Sequence, residues 1–286
     1  MPTLAIFTYE LRGLFASWLV RGWFTATAIV ALLLTAGAWQ EMHPAVLIPM
    51  LLFSYMVFPW SFFVIVLGIS PTTGSRLDAL ADGILSRPVT RFEYLAASWG
   101  ARVIAVLAVY LAVMVPTIAI VAFAKRMVER PVTLYGATAS LAIVGLVLTF
   151  LVTLSFLAGT ALRKPMFAAA VVVFVWFPVN MVLHGFALKE FSPISLSQSM
   201  RVLLRTPWAE SERDLVVESA AEDLTKQWNT FNRIISGQAP QPETKESFFE
   251  KGDYDDFSLW RVGLGYGIPT LIALMLSATF FCWRDL

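Results

Sequence analysis

The polar residues with the most distinctive spacing in this chain occupy a short segment, residues 82–94, between two long apolar runs. The segment reads Asp-Gly-Ile-Leu-Ser-Arg-Pro-Val-Thr-Arg-Phe-Glu-Tyr. Pro88 disfavours helix in the residues before it, and Thr90 with Glu93 forms the capping-box pattern that begins a new helix. Two short helices separated by a proline would make a rigid projection that fits a cleft in a partner. An ordinary solvated connection explains the same residues equally well.

Motifs for catalysis or nucleotide binding are absent from the sequence. It contains no Gly-x-x-x-x-Gly-Lys-Ser/Thr phosphate loop, no His-Glu-x-x-His and no Gly-x-Ser-x-Gly. Cys282 is the single cysteine, and His43 and His184 lie far apart, so no disulfide framework or histidine metal site is expected. Gly263 and Gly267 lie in the last apolar run at the spacing of a helix-packing face. We therefore expect no cofactor and no enzymatic activity, with any ATP hydrolysed by another chain.

The composition indicates a membrane protein. Of 286 residues, 58% are hydrophobic and 14% are charged, whereas soluble domains are about 45–50% apolar and about 25% charged. Mean hydropathy is +0.70. The net charge of +1 provides no electrostatic basis for binding nucleic acid.

Six apolar runs are long enough for membrane-spanning helices, each of which needs about 20 residues. They cover residues 22–39, 45–69, 99–124, 137–162, 165–188 and 260–283. Before them, residues 3–21 carry apolar side chains at helical spacing, with a polar side opposite that consists of Thr8, Glu10, Arg12 and Ser17. This pattern predicts an amphipathic helix in the membrane interface.

The positive-inside rule orients the spans. With the N-terminus in the cytoplasm, the inner side receives most basic residues outside the long loop, and the short outer loop receives Lys125, Arg126 and Arg130. Both termini are then cytoplasmic, residues 70–98 form a cytoplasmic segment, and residues 188–259 form an extracytoplasmic loop that begins with a short interfacial helix. The sequence thus predicts one all-α membrane domain over residues 1–286, with six transmembrane helices, a preceding interfacial helix and a helical extracytoplasmic insertion before the last span.

Three segments of the chain resemble the permease subunits of type II ABC exporters. Residues 82–94 resemble the family's cytoplasmic coupling loop, in which an acidic residue precedes Gly-Thr-Leu and Pro-Val-Ser-Arg follows. Residues 191–193, Phe-Ser-Pro, resemble the Ser-Pro after the fifth span, and residues 281–286, Phe-Cys-Trp-Arg-Asp-Leu, resemble the family's C-terminal ending. The chain departs from the pattern at Ile84, where threonine is usual, and at residues 97–98, Ala-Ser, near the usual Gly-Lys.

The resemblance implies a transport subunit in the inner membrane of a bacterial or archaeal cell. Such a subunit forms half of a translocation path with a second permease chain, identical or different, and couples to a separate ABC ATP-binding subunit. Export is the implied direction. The residues assigned to the ATPase contact are Asp82, Gly83, Leu85, Arg87, Pro88 and Arg91.

Polar or helix-breaking residues within the spans are candidates to line the path. They are Thr117, Pro178, Asn180 and His184. Asn180 is the strongest candidate because an amide in hydrocarbon needs a hydrogen-bond partner, although a bond to a neighbouring helix would satisfy it equally well. The aromatic second span suits lipid-like cargo, and contact with membrane lipid explains it equally well.

A second hypothesis is a polytopic membrane anchor or a membrane-embedded enzyme that acts through the long outer loop. That loop is its only support in the sequence. The hypothesis predicts no ATPase partner.

Overall fold

The computed structural model describes residues 2–38, 44–69, 90–124, 132–162, 164–186, 190–205 and 258–283. Within these ranges the chain forms nine α-helices and no strands. They are α1 (Pro2–Ala16), α2 (Trp18–Ala38), α3 (Pro44–Met56), α4 (Trp60–Ile69), α5 (Arg91–Ala124), α6 (Leu134–Ala161), α7 (Pro165–Gly185), α8 (Pro193–Arg205) and α9 (Leu259–Trp283).

Six segments of the described chain are long and apolar enough to cross a membrane. They are Trp18–Ala36, Leu47–Ile69, Phe92–Val121, Leu134–Ala161, Pro165–His184 and Leu259–Phe281. The prediction of an all-α, multi-pass membrane protein with six spans is therefore confirmed.

Helix α6 lies at the centre of the bundle, where it packs against α3, α4, α5, α7, α8 and α9. Its buried face is aliphatic, and Val144, Val147, Leu148, Leu151 and Val152 are fully inaccessible. Lipid tails are as apolar as these side chains, so close packing contributes more to helix association here than removal from water does. Four of the five other spans pack directly against α6, and the first span, α2, packs instead against α3, α4 and α5.

The second span is interrupted at residues 57–59, between α3 and α4. Proline at the end of this range has no N–H to continue the helical ladder. Two side chains bond the carbonyl groups that the break frees: the Trp176 indole donates to the Met56 carbonyl at 3.3 Å, and the Ser61 hydroxyl donates to the Val57 carbonyl. Because unsatisfied backbone groups are costly in hydrocarbon, these bonds make the interruption tolerable within the membrane.

Helix α8, at the start of the outer loop, is buried against α3, α6 and α7. The sequence predicts a short interfacial helix here. The helix is present, and its leucines Leu196, Leu203 and Leu204 are buried in the bundle. Its interfacial position stays a prediction. The Thr133 backbone N–H and hydroxyl both donate to the Leu204 carbonyl, at 2.9 and 3.2 Å, and join the end of α8 to the start of α6.

The predicted packing face at Gly263 and Gly267 is not used within the described chain. A Cβ added at either glycine meets no described atom within 4 Å. Large apolar side chains on the same helix are also exposed, including Trp260 at 74% and Leu271 at 62%. This side of α9 therefore faces away from the rest of the described bundle.

Gly136, in the first turn of α6, allows the closest approach between α6 and α8. A Cβ at this position would overlap the Leu203 carbonyl and the Leu204 backbone. We expect Gly136→Ala to destabilise the protein by about 1–3 kcal/mol, because the α8 backbone cannot move without losing its bonds to Thr133. Thermal unfolding in detergent, followed by circular dichroism, measures the effect.

The matched control for this prediction is Gly267→Ala, which places the new methyl group in open space. It should leave the melting temperature unchanged or raise it slightly, since alanine favours helix over glycine. Equal melting temperatures for Gly136→Ala and the wild type would contradict the close approach of the two helices.

Candidate coupling and translocation sites

Helix α5 begins with the capping box that the sequence predicts. The Thr90 N–H donates to Glu93 Oε2 at 3.0 Å, and the Glu93 N–H donates to Thr90 Oγ1 at 3.3 Å. The helix then continues for 34 residues, or about 50 Å at 1.5 Å per residue. This exceeds the hydrocarbon thickness of about 30 Å, so the helix extends beyond the membrane core. A displacement of its first turn is thus transmitted directly to a membrane span.

Tyr94 joins the start of α5 to the end of α9. Its side chain is 8% exposed and stacks on Phe281, with ring centroids 6.4 Å apart and ring planes inclined by 25°. Tyr94 and Phe281 belong to two of the segments that carry the family resemblance, residues 82–94 and 281–286. The fold brings these two residues together although nearly two hundred residues of sequence separate them.

Arg102 is a fully buried charged residue about three turns into α5. Its Nη1 donates to the carbonyl and hydroxyl oxygens of Ser98, both at 2.7 Å, and its guanidinium lies 5.3 Å from the centre of the Phe156 ring. Glu10 Oε2 on α1 is 3.9 Å from Nη2. Among the described residues, Nε and Nη2 have no hydrogen-bond partner. The charge is therefore held mainly by Ser98, by the aromatic face and by the carboxylate of α1.

The position of Glu10 differs from the one predicted for it on α1. The apolar periodicity assigns Glu10 to the polar side of the helix, whereas its side chain is only 15% exposed and faces α5. Its neighbours one turn away, Phe7 and Leu14, are also partly buried. The pattern failed here because a buried arginine on another helix attracts a carboxylate onto a mostly apolar face. Arg102, a charged residue within a predicted span and one helical turn after Ser98, is the signal in the sequence for this site.

The residues predicted to contact an ATPase lie almost entirely outside the described residues. Five of the six lie outside the described residues: Asp82, Gly83, Leu85, Arg87 and Pro88. Arg91 is the first residue of α5. The role of these six residues in coupling stays a prediction. After Ile69 the described structure resumes at Thr90.

The residues predicted to line a path fall into two separate places. Asn180 and His184 lie one turn apart on α7, and Pro178 lies on the exposed side of the same helix. Thr117 lies on α5, where its hydroxyl donates to the Val113 carbonyl at 2.7 Å and faces a groove beside α2. The fold thus brings Asn180 and His184 together, but it does not bring Thr117 to them.

Asn180 borders a cavity of about 480 Å³ between α6, α7 and α9. Its other walls are apolar or aromatic and include Phe150, Trp176, Phe191 and Tyr266. Asn180 is 2% exposed, and its Nδ2 group has no hydrogen-bond partner among the described residues. The cavity is therefore an apolar space, and the amide nitrogen of Asn180 is buried in its wall rather than exposed to it. Such a space suits an apolar molecule.

The start of the outer loop closes one side of this cavity. The Ser192 hydroxyl donates to the Asn180 carbonyl at 3.2 Å, and the Tyr266 hydroxyl donates to the Phe191 carbonyl at 2.7 Å. One turn after Asn180 on α7, His184 Nδ1 lies 2.9 Å from the Ser195 hydroxyl oxygen on α8. These bonds fix residues 191–193, the third segment of the resemblance, against both α7 and α9.

We expect Glu10 and Arg102 to be energetically coupled. Glu10→Gln should lower stability because it leaves the buried guanidinium without its carboxylate, and Arg102→Met should be less harmful when Glu10→Gln is also present. A double-mutant cycle of unfolding free energies in detergent should show a coupling of about 0.5–3 kcal/mol. Arg12→Gln, an exposed charge on the same helix, is the control. Strict additivity of the two substitutions would contradict the contact.

We expect Asn180→Leu to maintain or raise the melting temperature, because leucine replaces an unpaired buried amide with an apolar side chain of similar size. Thr153→Val is the matched contrast. Thr153 accepts a hydrogen bond from the Trp99 indole at 2.9 Å, so valine leaves that donor unpaired and should destabilise the protein. A clear loss of stability in Asn180→Leu would show that the amide has a partner in the folded protein.

Comparison with models of known protein families gives no match for this chain, and comparison with curated proteins gives none either. The resemblance to ABC exporter permeases therefore rests on the residues of the chain itself. These are the segments 82–94, 191–193 and 281–286, together with the six spans.

Proposed function

We propose that this chain is the transmembrane permease subunit of an ATP-driven ABC transporter, an exporter that couples to a separate ATP-binding subunit. The observation that carries the proposal is the junction at Thr90. The segment that resembles a coupling loop ends at a capping box, and the capped helix continues without interruption across the membrane. A partner bound to residues 82–89 would therefore act on a rigid lever rather than on a flexible connection.

Two contacts support transmission from this lever to other helices. Tyr94 stacks on Phe281 of α9, and Arg102 pairs with Glu10 of α1. Helices α1, α5 and α9 would therefore shift together when the coupling segment moves. In the proposed cycle, ATP binding closes two ATPases and draws the coupling segments of two permease chains together. The spans then change between inward-open and outward-open states.

The cavity beside Asn180 supports an apolar, lipid-like cargo. Its aromatic and aliphatic walls offer no fixed charge, which favours an apolar occupant. The exposed apolar side of α7 next to it, which includes Phe174 at 79% and Met181 at 69%, is available for a second permease chain. In this proposal both termini lie in the cytoplasm and the cavity lies toward the outer side.

The combined substitution Leu85→Asp with Arg87→Glu should abolish association with the ATPase and leave the spans folded, because it reverses the chemistry of the proposed contact. Affinity purification from native membranes, with quantitative mass spectrometry of co-purifying proteins, measures association. Circular dichroism and size-exclusion chromatography report whether the variant is folded.

Leu134→Asp with Arg261→Glu is the matched control for this experiment. It makes the same pair of changes at residues that are 83% and 65% exposed and lie at the opposite face of the predicted topology. The control should retain the ATPase. Retention of the ATPase by the Leu85→Asp, Arg87→Glu variant, or equal loss from both variants, would overturn the assignment of the coupling segment.

A further inference from the structure

An apolar groove follows the outside of the bundle between α2 and α5. It comprises two hollows of about 530 and 580 Å³. Phe24 on α2 and Ala112 on α5 line both hollows, so the two adjoin each other. The groove is deep because small side chains form much of its lining, with Ala28 and Ala31 on α2 and Ala108 on α5.

The groove has the length and lining of a site for a hydrocarbon chain. It follows α2 from Arg21 to Ala36, a rise of about 22 Å, compared with about 15 Å for one leaflet of the membrane core. The threonines that line it bond to carbonyl groups of their own helices: Thr25 to Arg21 and Gly22, Thr35 to Ala31, and Thr117 to Val113. The threonine hydroxyls are therefore already used as donors, and the groove offers an occupant a largely apolar surface.

Arg21 supplies a positive charge at one end of the groove. Its Nε donates to the Phe15 carbonyl at 3.1 Å, which holds the side chain at the junction between α1 and α2. The residue is exposed, and no carboxylate in the described part of the chain lies within ion-pairing distance of it. Its terminal guanidinium nitrogens are therefore available for a phosphate, which arginine can bind through two parallel hydrogen bonds.

We propose that this groove binds an anionic phospholipid, with one acyl chain between α2 and α5 and the phosphate on Arg21. A helix from a second copy of the chain is a poorer occupant, because it would cover an arginine that has no carboxylate partner on this face. A phospholipid supplies the apolar chain and the counter-charge in one molecule, at the membrane surface where α1 lies. The bound lipid would hold α1 and α2 against α5. The inference is independent of the transport role and of any ATPase.

The test is lipid binding to the purified full chain in mild detergent. Phosphatidylglycerol and phosphatidylcholine with identical acyl chains are added separately, and native mass spectrometry and the melting temperature report binding. The wild type should retain phosphatidylglycerol preferentially and should melt at a higher temperature with it. In Arg21→Gln, phosphatidylglycerol and phosphatidylcholine should be retained equally and should raise the melting temperature equally. Ala112→Leu, which fills the point where the two hollows meet, should lose the most tightly held lipid of either kind.

Ala170→Leu is the control, since it enlarges an exposed alanine on α7 outside the groove and should bind lipid as the wild type does. Equal lipid retention by Ala112→Leu and Ala170→Leu would overturn the proposal, as would an equal rise in melting temperature with inorganic phosphate alone. Efficient cross-linking of Thr25→Cys to a second copy in native membranes, in a Cys282→Ser background, would show that a protein chain occupies the groove and would also overturn it.

Discussion

The constraint on which this structure depends is that every backbone polar group in hydrocarbon must find a partner within the protein. The break in the second span shows how the constraint is met, because Trp176 on α7 donates to the Met56 carbonyl that the break frees. The bond also ties α7 to the junction of α3 and α4. Most hydroxyl groups in the spans are satisfied more locally, through carbonyls one turn earlier, as Ser155 is through Leu151. Most hydroxyl groups in the described spans therefore bond within their own helices and are not free to bind a ligand.

Five described residues have buried side-chain polar atoms without a hydrogen-bond partner: Trp23, Tyr55, Arg102, Ser140 and Asn180. Two of them, Arg102 and Asn180, lie toward opposite ends of the bundle. Arg102 draws α1 onto α5 near the end where Tyr94 meets α9. Asn180 borders the cavity near the other end, where the outer loop is bonded to α7 and α9. Under the proposed function these are the coupling end and the cargo end of the same helices. The long α5 provides the mechanical link at the coupling end. The packing of α6 against α7 and α9 connects the coupling end to the cargo end.

Much of the fold could be predicted because the relevant signals are local. Span length follows from runs of apolar residues, and the start of α5 follows from Thr90 and Glu93, which are three residues apart. The contacts that the sequence does not reveal depend on distant partners. Glu10 faces inward because of Arg102, and α8 inserts into the bundle because Gly136 leaves room for its backbone. Helical periodicity states which side of a helix is apolar, but it does not state which helix will cover that side. The ATPase contact at Leu85 and Arg87 was predicted from resemblance, and it lies outside the described residues.

The most direct test of the proposed function is photo-cross-linking in native membranes, with a photoreactive amino acid at position 85 and, in a separate sample, at position 134. Leu85 lies in the proposed coupling segment, and Leu134 begins α6 at the opposite face of the predicted topology. If the chain is an ABC transporter permease, position 85 will form a covalent adduct with a P-loop ATPase and position 134 will not. Adducts at position 85 that contain only lipid or the chain itself would contradict the proposed function.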